Sequence, residues 1–148
     1  MNRTDILIVG GGVAGLAAAA RLASDGFSVV IADRAPPPPV NPARDGADLR
    51  TTAFLQPAIE TLRRAGGWER MAAHGPGGAE ALWTMRLVDA GGRENAARER
   101  ADFESSETGD RPFGFNVANT VARAALMARL AELCVPLRAP AALVDLTL

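Results

Sequence analysis

Residues 6–9, Ile-Leu-Ile-Val, form an unbroken apolar run that stops at Gly10-Gly11-Gly12. Such a run, bounded by glycine, predicts a parallel strand covered on both faces rather than an alternating, half-wet one. From residue 14 to 23 the period becomes helical, with Leu16, Ala19, Ala20 and Ala23 on one face. Gly26 stands where a left-handed residue closes a helix. Residues 28–32 are short, apolar and rich in β-branched side chains, and predict a second strand ending before Asp33. Strand, glycine turn, helix and strand together make a βαβ unit.

The pattern then loosens. Residues 36–39 are four consecutive prolines, which cannot donate to a sheet ladder or continue a helix. They predict a surface loop running to about Asp48. Residues 49–53 are expected to be extended. Pro57 fits the first position of a helix over 57–64, with Ile59, Leu62 and Arg63 facing inward and Gly66-Gly67 ending it. Residues 68–73 suggest a turn or short helix, and 75–78 a break. A strand over 82–88, a hairpin turn at 89–92 and a solvated partner strand over 93–103 follow, then a polar loop over 104–110. A strand over 113–117 leads to Asn119, a plausible N-cap for a helix reaching Cys134. Val121, Ala122, Ala125, Leu126, Leu130 and Leu133 supply its apolar face. Pro136 and Pro140 mark a loop, and 142–148 reads as the start of another strand. The whole predicts an α/β, Rossmann-like, three-layer dinucleotide-binding domain, present here as part of a larger sheet.

The candidate chemistry sits in the first unit. Gly10, Gly12 and Gly15 have the G-x-G-x-x-G spacing, and Asp33 follows Gly15 by 18 residues (33 − 15). Gly10 permits the tight turn, Gly12 lets a pyrophosphate approach the backbone, and Gly15 lets the helix pack closely. Gly11, Val13 and Ala14 complete the turn and the helix start, whose free N–H groups favour an anion. Asp33 would accept hydrogen bonds from a ribose, with Arg34 beside it. The acid disfavours a 2′-phosphate. The motif alone does not separate FAD from NAD.

Composition removes other classes. A formal net charge of −1 leaves no electrostatic footprint for nucleic acid. Hydrophobic residues make up 48% and charged residues 22%, as in a soluble globular protein, and no apolar run approaches transmembrane length. A signal peptide is not expected, and one cysteine excludes an internal disulfide, consistent with a cytoplasmic setting. With Cys134 and His74 the only residues of their types, no metal site is expected. Cys134 reads as a small core residue and His74 as a loop residue. No catalytic residue is assigned.

Three stretches carry a more specific likeness: the glycine motif with Asp33; residues 48–57 (DLRTTAFLQP), running on to Leu62 and Gly66-Gly67-Trp68; and residues 85–92 (MRLVDAGG), joined later by 112–119 (PFGFNVAN) and the following helix. Their order resembles the FAD-dependent aromatic hydroxylases, in particular the ubiquinone-biosynthesis branch. The resemblance implies FAD as cofactor, NAD(P)H as electron donor, and O₂-dependent hydroxylation of a small prenylated phenol. It also implies an FAD domain over 1–74 and 117–148, interrupted by the first strands of a β-rich substrate domain over 75–116. Carried over by position, Arg50 matches an arginine that reaches FAD, and Asn119 and Arg123 fall on the helix bordering the flavin. Each has a plainer reading: Arg50 as a surface charge, Asn119 as an N-cap, Arg123 on a solvated helix face. The prenylated substrate implies loose association with the inner membrane; no partner chain or oligomeric state is implied. A different FAD- or NAD-dependent oxidoreductase, or an inactive remnant, shares the opening unit.

Overall fold

The computed structural model describes residues 3–75, 77–91 and 97–147. Strand β1 (Ile6–Val9) leads through the glycine turn into helix α1 (Val13–Ser24), which returns the chain to β2 (Val29–Ala32). β1 and β2 pair in parallel, Ile6 opposite Val29 and Val9 opposite Ala32. β8 (Leu137–Arg138), fed by helix α4 (Asn119–Glu132), pairs in parallel with the other edge of β2. The sheet order is therefore β1-β2-β8. This is the expected α/β, Rossmann-like frame.

Both helices pack on this frame because their contact faces are small or apolar. Leu16, Ala19 and Ala20 of α1 are buried with Ala122, Ala125, Leu126 and Leu130 of α4. Alanines at the helix contact let the two backbones approach and lose no side-chain entropy on burial. The core extends over helix α2 (Gln56–Arg64) through Ile59 and Leu62, and over helix α3 (Trp68–Ala72) through Trp68 and Met71.

A second sheet is antiparallel, in the order β3 (Thr51–Leu55), β7 (Gly114–Ala118), β4 (Glu80–Leu82). β5 (Thr84–Asp89) and β6 (Glu99–Glu104) form a separate two-stranded ribbon. Among the described residues no helix is long and apolar enough to cross a membrane.

Several expectations need correction. Helices cover one face of the parallel sheet, toward which Ile6 and Ile8 pack, while Leu7 and Val9 on the other face are 45% and 57% exposed. The strand over 82–88 divides at Trp83, because β4 pairs with β7 whereas β5 pairs with β6. Its partner begins at Glu99; residues 92–96, including part of the hairpin turn, lie outside the described residues. The polar loop after it holds a short 3₁₀ turn, Ser105–Glu107, closed by a capping box between Glu104 and Glu107. Pro57 is the second helical residue of α2, and Arg63 is exposed, its guanidinium 5.9 Å from the Trp68 ring centre.

Cys134 is exposed rather than in the core. α4 ends in a Schellman motif: the Cys134 N–H donates to the Ala131 carbonyl and the Val135 N–H to the Leu130 carbonyl. That motif needs one left-handed residue, which falls on Cys134 with φ 55° and turns its side chain outward. The last strand comes earlier than expected, at Leu137–Arg138, and residues 142–147 form no strand. The residue before them is tied to the sheet, the Ala141 N–H donating to the Asp33 carbonyl at 2.7 Å.

Candidate functional site

The glycine turn is built by two different constraints. Gly10 has φ +113°, a conformation costly for any side chain, and its N–H is fixed to the Ala32 carbonyl at 2.8 Å. Gly15 faces the turn from the first turn of α1: a Cβ there would lie 2.0 Å from the Gly10 carbonyl oxygen. Gly12 is the N-cap of α1; among the described residues no side chain caps the helix, and no acid occupies its first turn. The N–H groups of Val13, Ala14 and Gly15 thus have no intrahelical acceptor. A Cβ added to Gly12 would meet no atom within 4 Å, so this glycine faces open space.

Asp33 closes the other side. Its Oδ2 accepts the Gly11 N–H at 2.5 Å and its Oδ1 the Ala35 N–H at 2.9 Å. These backbone bonds, Ala35 first and Gly11 second, hold its carboxyl below the usual aspartate value, helped by Arg123 and Arg34. Each oxygen retains acceptor capacity for a further donor, such as a hydroxyl. Asp33 is shared by two cavities. One, of about 130 Å³, is lined by Gly11, Gly12, Asp33, Leu137, Arg123 and the prolines 36–38. The other, of about 420 Å³, lies against Gly10, Arg34 and Leu143.

Arg123 is not on a solvated face. It is 6% exposed, and its Nε has no hydrogen-bond partner among the described residues. Burying a guanidinium with an unused donor is costly, and this donor is open to an acceptor that the described residues do not supply. With free helix N–H groups on one side and a guanidinium on the other, this cavity suits an anionic group that also carries hydroxyls for Asp33.

Asn119 is not the N-cap. Ala118, still extended at φ −60° and ψ 135°, takes that position because β7 runs straight into α4. The Asn119 side chain is used elsewhere: its Oδ1 accepts the Thr52 hydroxyl at 2.6 Å and its Nδ2 donates to Asp48 Oδ2 at 2.8 Å. Its backbone N–H donates to the Arg50 carbonyl at 2.9 Å. Asn119 therefore fastens the 48–52 segment to the start of α4. Arg123, four residues on, shares its helix face and lines the glycine-turn cavity.

Arg50 is placed differently. Its side chain is 83% exposed and forks onto Asp48, Nε to Oδ1 at 2.8 Å and Nη2 to Oδ2 at 2.9 Å. It lines neither cavity at the glycine turn. Asp48 and Thr52 carry no role that the sequence pattern assigns, and the prolines predict only a loop. The available signal was position, since the proline run begins three residues after the acid.

Arg50 and Asn119 together hold the Asp48 carboxyl well below the usual carboxylate range. A depressed folded value stabilises the fold above the unfolded value of 3.8 and loses that contribution as pH falls through the folded one. Melting temperature should therefore fall below about pH 3.8, and Asp48→Asn should flatten this acid slope. Equal slopes for the two proteins between pH 6 and 2 would dismiss the network as a source of stability.

Residues 5–146 match the FAD dependent oxidoreductase family. The chain belongs to that family. FAD is the family's cofactor, which resolves the choice between FAD and NAD that the glycine motif leaves open. Among similar proteins, the ubiquinone hydroxylase UbiL of Rhodospirillum rubrum is 32% identical over 129 residues, covering 87% of this chain and 27% of that protein. The 3-demethoxyubiquinol 3-hydroxylase of Escherichia coli is 33% identical over 146 residues, covering 97% and 34%. The chain thus spans about a third or less of the length of these curated relatives. A solved flavoprotein/dehydrogenase from Cytophaga hutchinsonii shares the fold, with a TM-score of 0.67 at 21% identity, over 99% of this chain and 32% of that one. Among the described residues of this FAD-dependent oxidoreductase chain, no three His, Cys, Asp or Glu side chains group to hold a metal.

Proposed function

We propose that this chain forms the ADP-holding part of an FAD-dependent monooxygenase that hydroxylates a phenolic ubiquinone precursor with NAD(P)H and O₂. The hydroxylases among its relatives support the reaction class. The observation that carries the site is the buried Arg123 with its unpartnered Nε, beside a glycine turn whose helix N–H groups are uncapped. Bound FAD would supply the redox and oxygen chemistry, and the chain's residues would hold it.

In this reading, Gly10, Gly11, Gly12, Val13, Ala14 and Gly15 form the diphosphate cradle. Asp33 accepts ribose hydroxyls, with Arg34 at the edge of the neighbouring cavity. Arg123 neutralises diphosphate charge from the opposite wall. Arg50 forks onto Asp48 through Nε and Nη2 and would reach the cofactor with its remaining N–H donors. Asn119 sets the position of that segment. Residues 1–74 and 117–148 belong to the FAD domain, and 75–116 begin the substrate domain. A prenylated substrate would bring the enzyme to the cytoplasmic surface of the membrane as a peripheral protein.

Arg123→Met is the test. Losing a charged hydrogen-bond donor should weaken FAD binding by about 10- to 100-fold, the equivalent of roughly 1.5–3 kcal/mol. The same change removes a buried guanidinium whose Nε is unpartnered, so the melting temperature without FAD should hold or rise. Flavin fluorescence quenching and thermal denaturation measure the two. Unchanged FAD affinity, or a large loss of stability without FAD, would make Arg123 a structural residue. For the reaction class, a polypeptide of the relatives' full length should be yellow and consume NAD(P)H with a prenylated phenol.

A further inference from the structure

The four prolines after Asp33 are unusual for a simple surface connection, because three of them, Pro36, Pro37 and Pro38, line the same small cavity as Gly11, Gly12, Asp33 and Arg123. Pro39 does not line it. We propose that Pro36, Pro37 and Pro38 form a fixed outer wall of this part of the nucleotide site, and that their stiffness keeps it shaped for the ribose and adjoining phosphate of an ADP group before any ligand arrives. This rests on the dinucleotide reading above and adds a role to a segment outside the glycine motif.

The physical chain runs from backbone to carboxylate. Proline fixes its own φ and also bars the residue before it from the helical region. Pro36 thereby restricts Ala35. The Ala35 N–H closes a turn onto Asp33 Oδ1 at 2.9 Å, and Asp33 Oδ2 is held by the Gly11 N–H. The carboxylate is thus pinned from both sides, once by the glycine turn and once by the segment that the prolines stiffen. The Asp33 backbone is fixed as well, with its N–H donating to the Arg138 carbonyl at 3.0 Å and its carbonyl accepting the Ala141 N–H.

A run of prolines has little conformational freedom left to lose. With no N–H to donate, it presents an apolar surface to the cavity, whose charged groups are Asp33 and Arg123. A flexible loop at the same place would have to be ordered each time a ligand bound, and that cost would reduce affinity. The wall therefore favours binding by reducing the ordering cost rather than by adding a hydrogen bond.

The test titrates the chain with ADP by calorimetry. The wild-type protein should bind ADP. The triple variant Pro36→Ala/Pro37→Ala/Pro38→Ala should bind about tenfold more weakly, with a more unfavourable binding entropy. Pro37→Ala alone, at an exposed position, should give about a threefold loss and guards against a triple variant that folds poorly. Pro39→Ala, which leaves all three wall prolines in place, should lose less than Pro37→Ala. Equal ADP affinity in the triple variant and the wild type would overturn the wall while leaving the nucleotide site standing. A loss at Pro39 as large as that of the triple variant would also overturn it, since the effect would then be general to the loop. No ADP binding by the wild-type chain would remove the underlying site and the wall with it.

Discussion

Gly15→Ala is expected to dismantle the glycine turn, although alanine is the best helix former and the position lies in the first turn of α1. The added Cβ would lie 2.0 Å from the Gly10 carbonyl oxygen and 3.1 Å from the Gly10 carbonyl carbon. Neither atom belongs to a side chain that can swing away. Gly10 is held by its N–H to the Ala32 carbonyl, and the Ile8 side chain stands 3.5 Å from the new carbon on the same side. Relief requires α1 to lift from β1, which loosens Leu16, Ala19 and Ala20 in the core. Overpacking against movable neighbours costs about 1–3 kcal/mol, and a clash with fixed backbone belongs at or above that upper figure. For a chain of this size, about 3 kcal/mol corresponds to a fall of roughly 6–12 °C in melting temperature. Thermal denaturation followed by circular dichroism measures it. A shift of only a degree or two would mean that the turn relaxes freely and that Gly15 does not hold helix and strand together.

The first βαβ unit was legible because every signal for it is local. Its apolar run, glycine turn, helical period and second strand lie within the first 33 residues, and the structure repeats them. Elements whose form depends on distant partners were not legible in the same way. Nothing in residues 82–88 says that the strand changes sheets at Trp83, because that depends on β7 and β6. The short β8 pairs with β2 across more than a hundred residues, so two residues suffice where the local pattern favours a longer stretch further on. Gly114 went unread for the same reason: a Cβ there would lie 2.1 Å from the Phe54 carbonyl, a constraint supplied by the neighbouring strand.

The candidate site divides along the same line. The glycines and Asp33 come together as their spacing requires, since 18 residues of turn, helix and strand return the acid to the turn. Asn119 and Arg123 of α4 took roles that periodicity could not assign. The N-cap position falls on Ala118, one residue earlier, and Asn119 turns to Thr52 and Asp48. Arg123 sits on a face shared with apolar residues, where a sequence pattern places it in solvent or in error. Only the structure shows a charged group 6% exposed with an unused donor. One face of α4 thus joins the 48–52 segment to the glycine turn, two regions far apart in the sequence.

Gly12→Val separates binding from folding, and its expected effect on binding is the largest of those considered. Gly12 has φ −71° and ψ 175°, an extended conformation that valine adopts freely, and its Cβ would meet nothing within 4 Å. Replacing an N-cap glycine costs at most about 1 kcal/mol, so the fold should survive. The valine side chain would nevertheless stand in the space where Gly11, Asp33 and Arg123 converge, beside the uncapped N–H groups of α1. A diphosphate held there would lose close contact with the backbone. FAD affinity should fall by at least about 100-fold, which is roughly 2.7 kcal/mol. Saturating FAD should raise the melting temperature of the wild-type protein through linkage and leave that of the variant unmoved, while the two melt within a few degrees of each other without FAD. This is the opposite pattern to Gly15→Ala, which should lose stability whether or not FAD is present. The contrast follows from where each missing Cβ would point: at Gly15 into a carbonyl, at Gly12 into open space. Should the Gly12→Val protein retain normal FAD content, the turn would have only a structural role, and the cofactor would have to be held elsewhere.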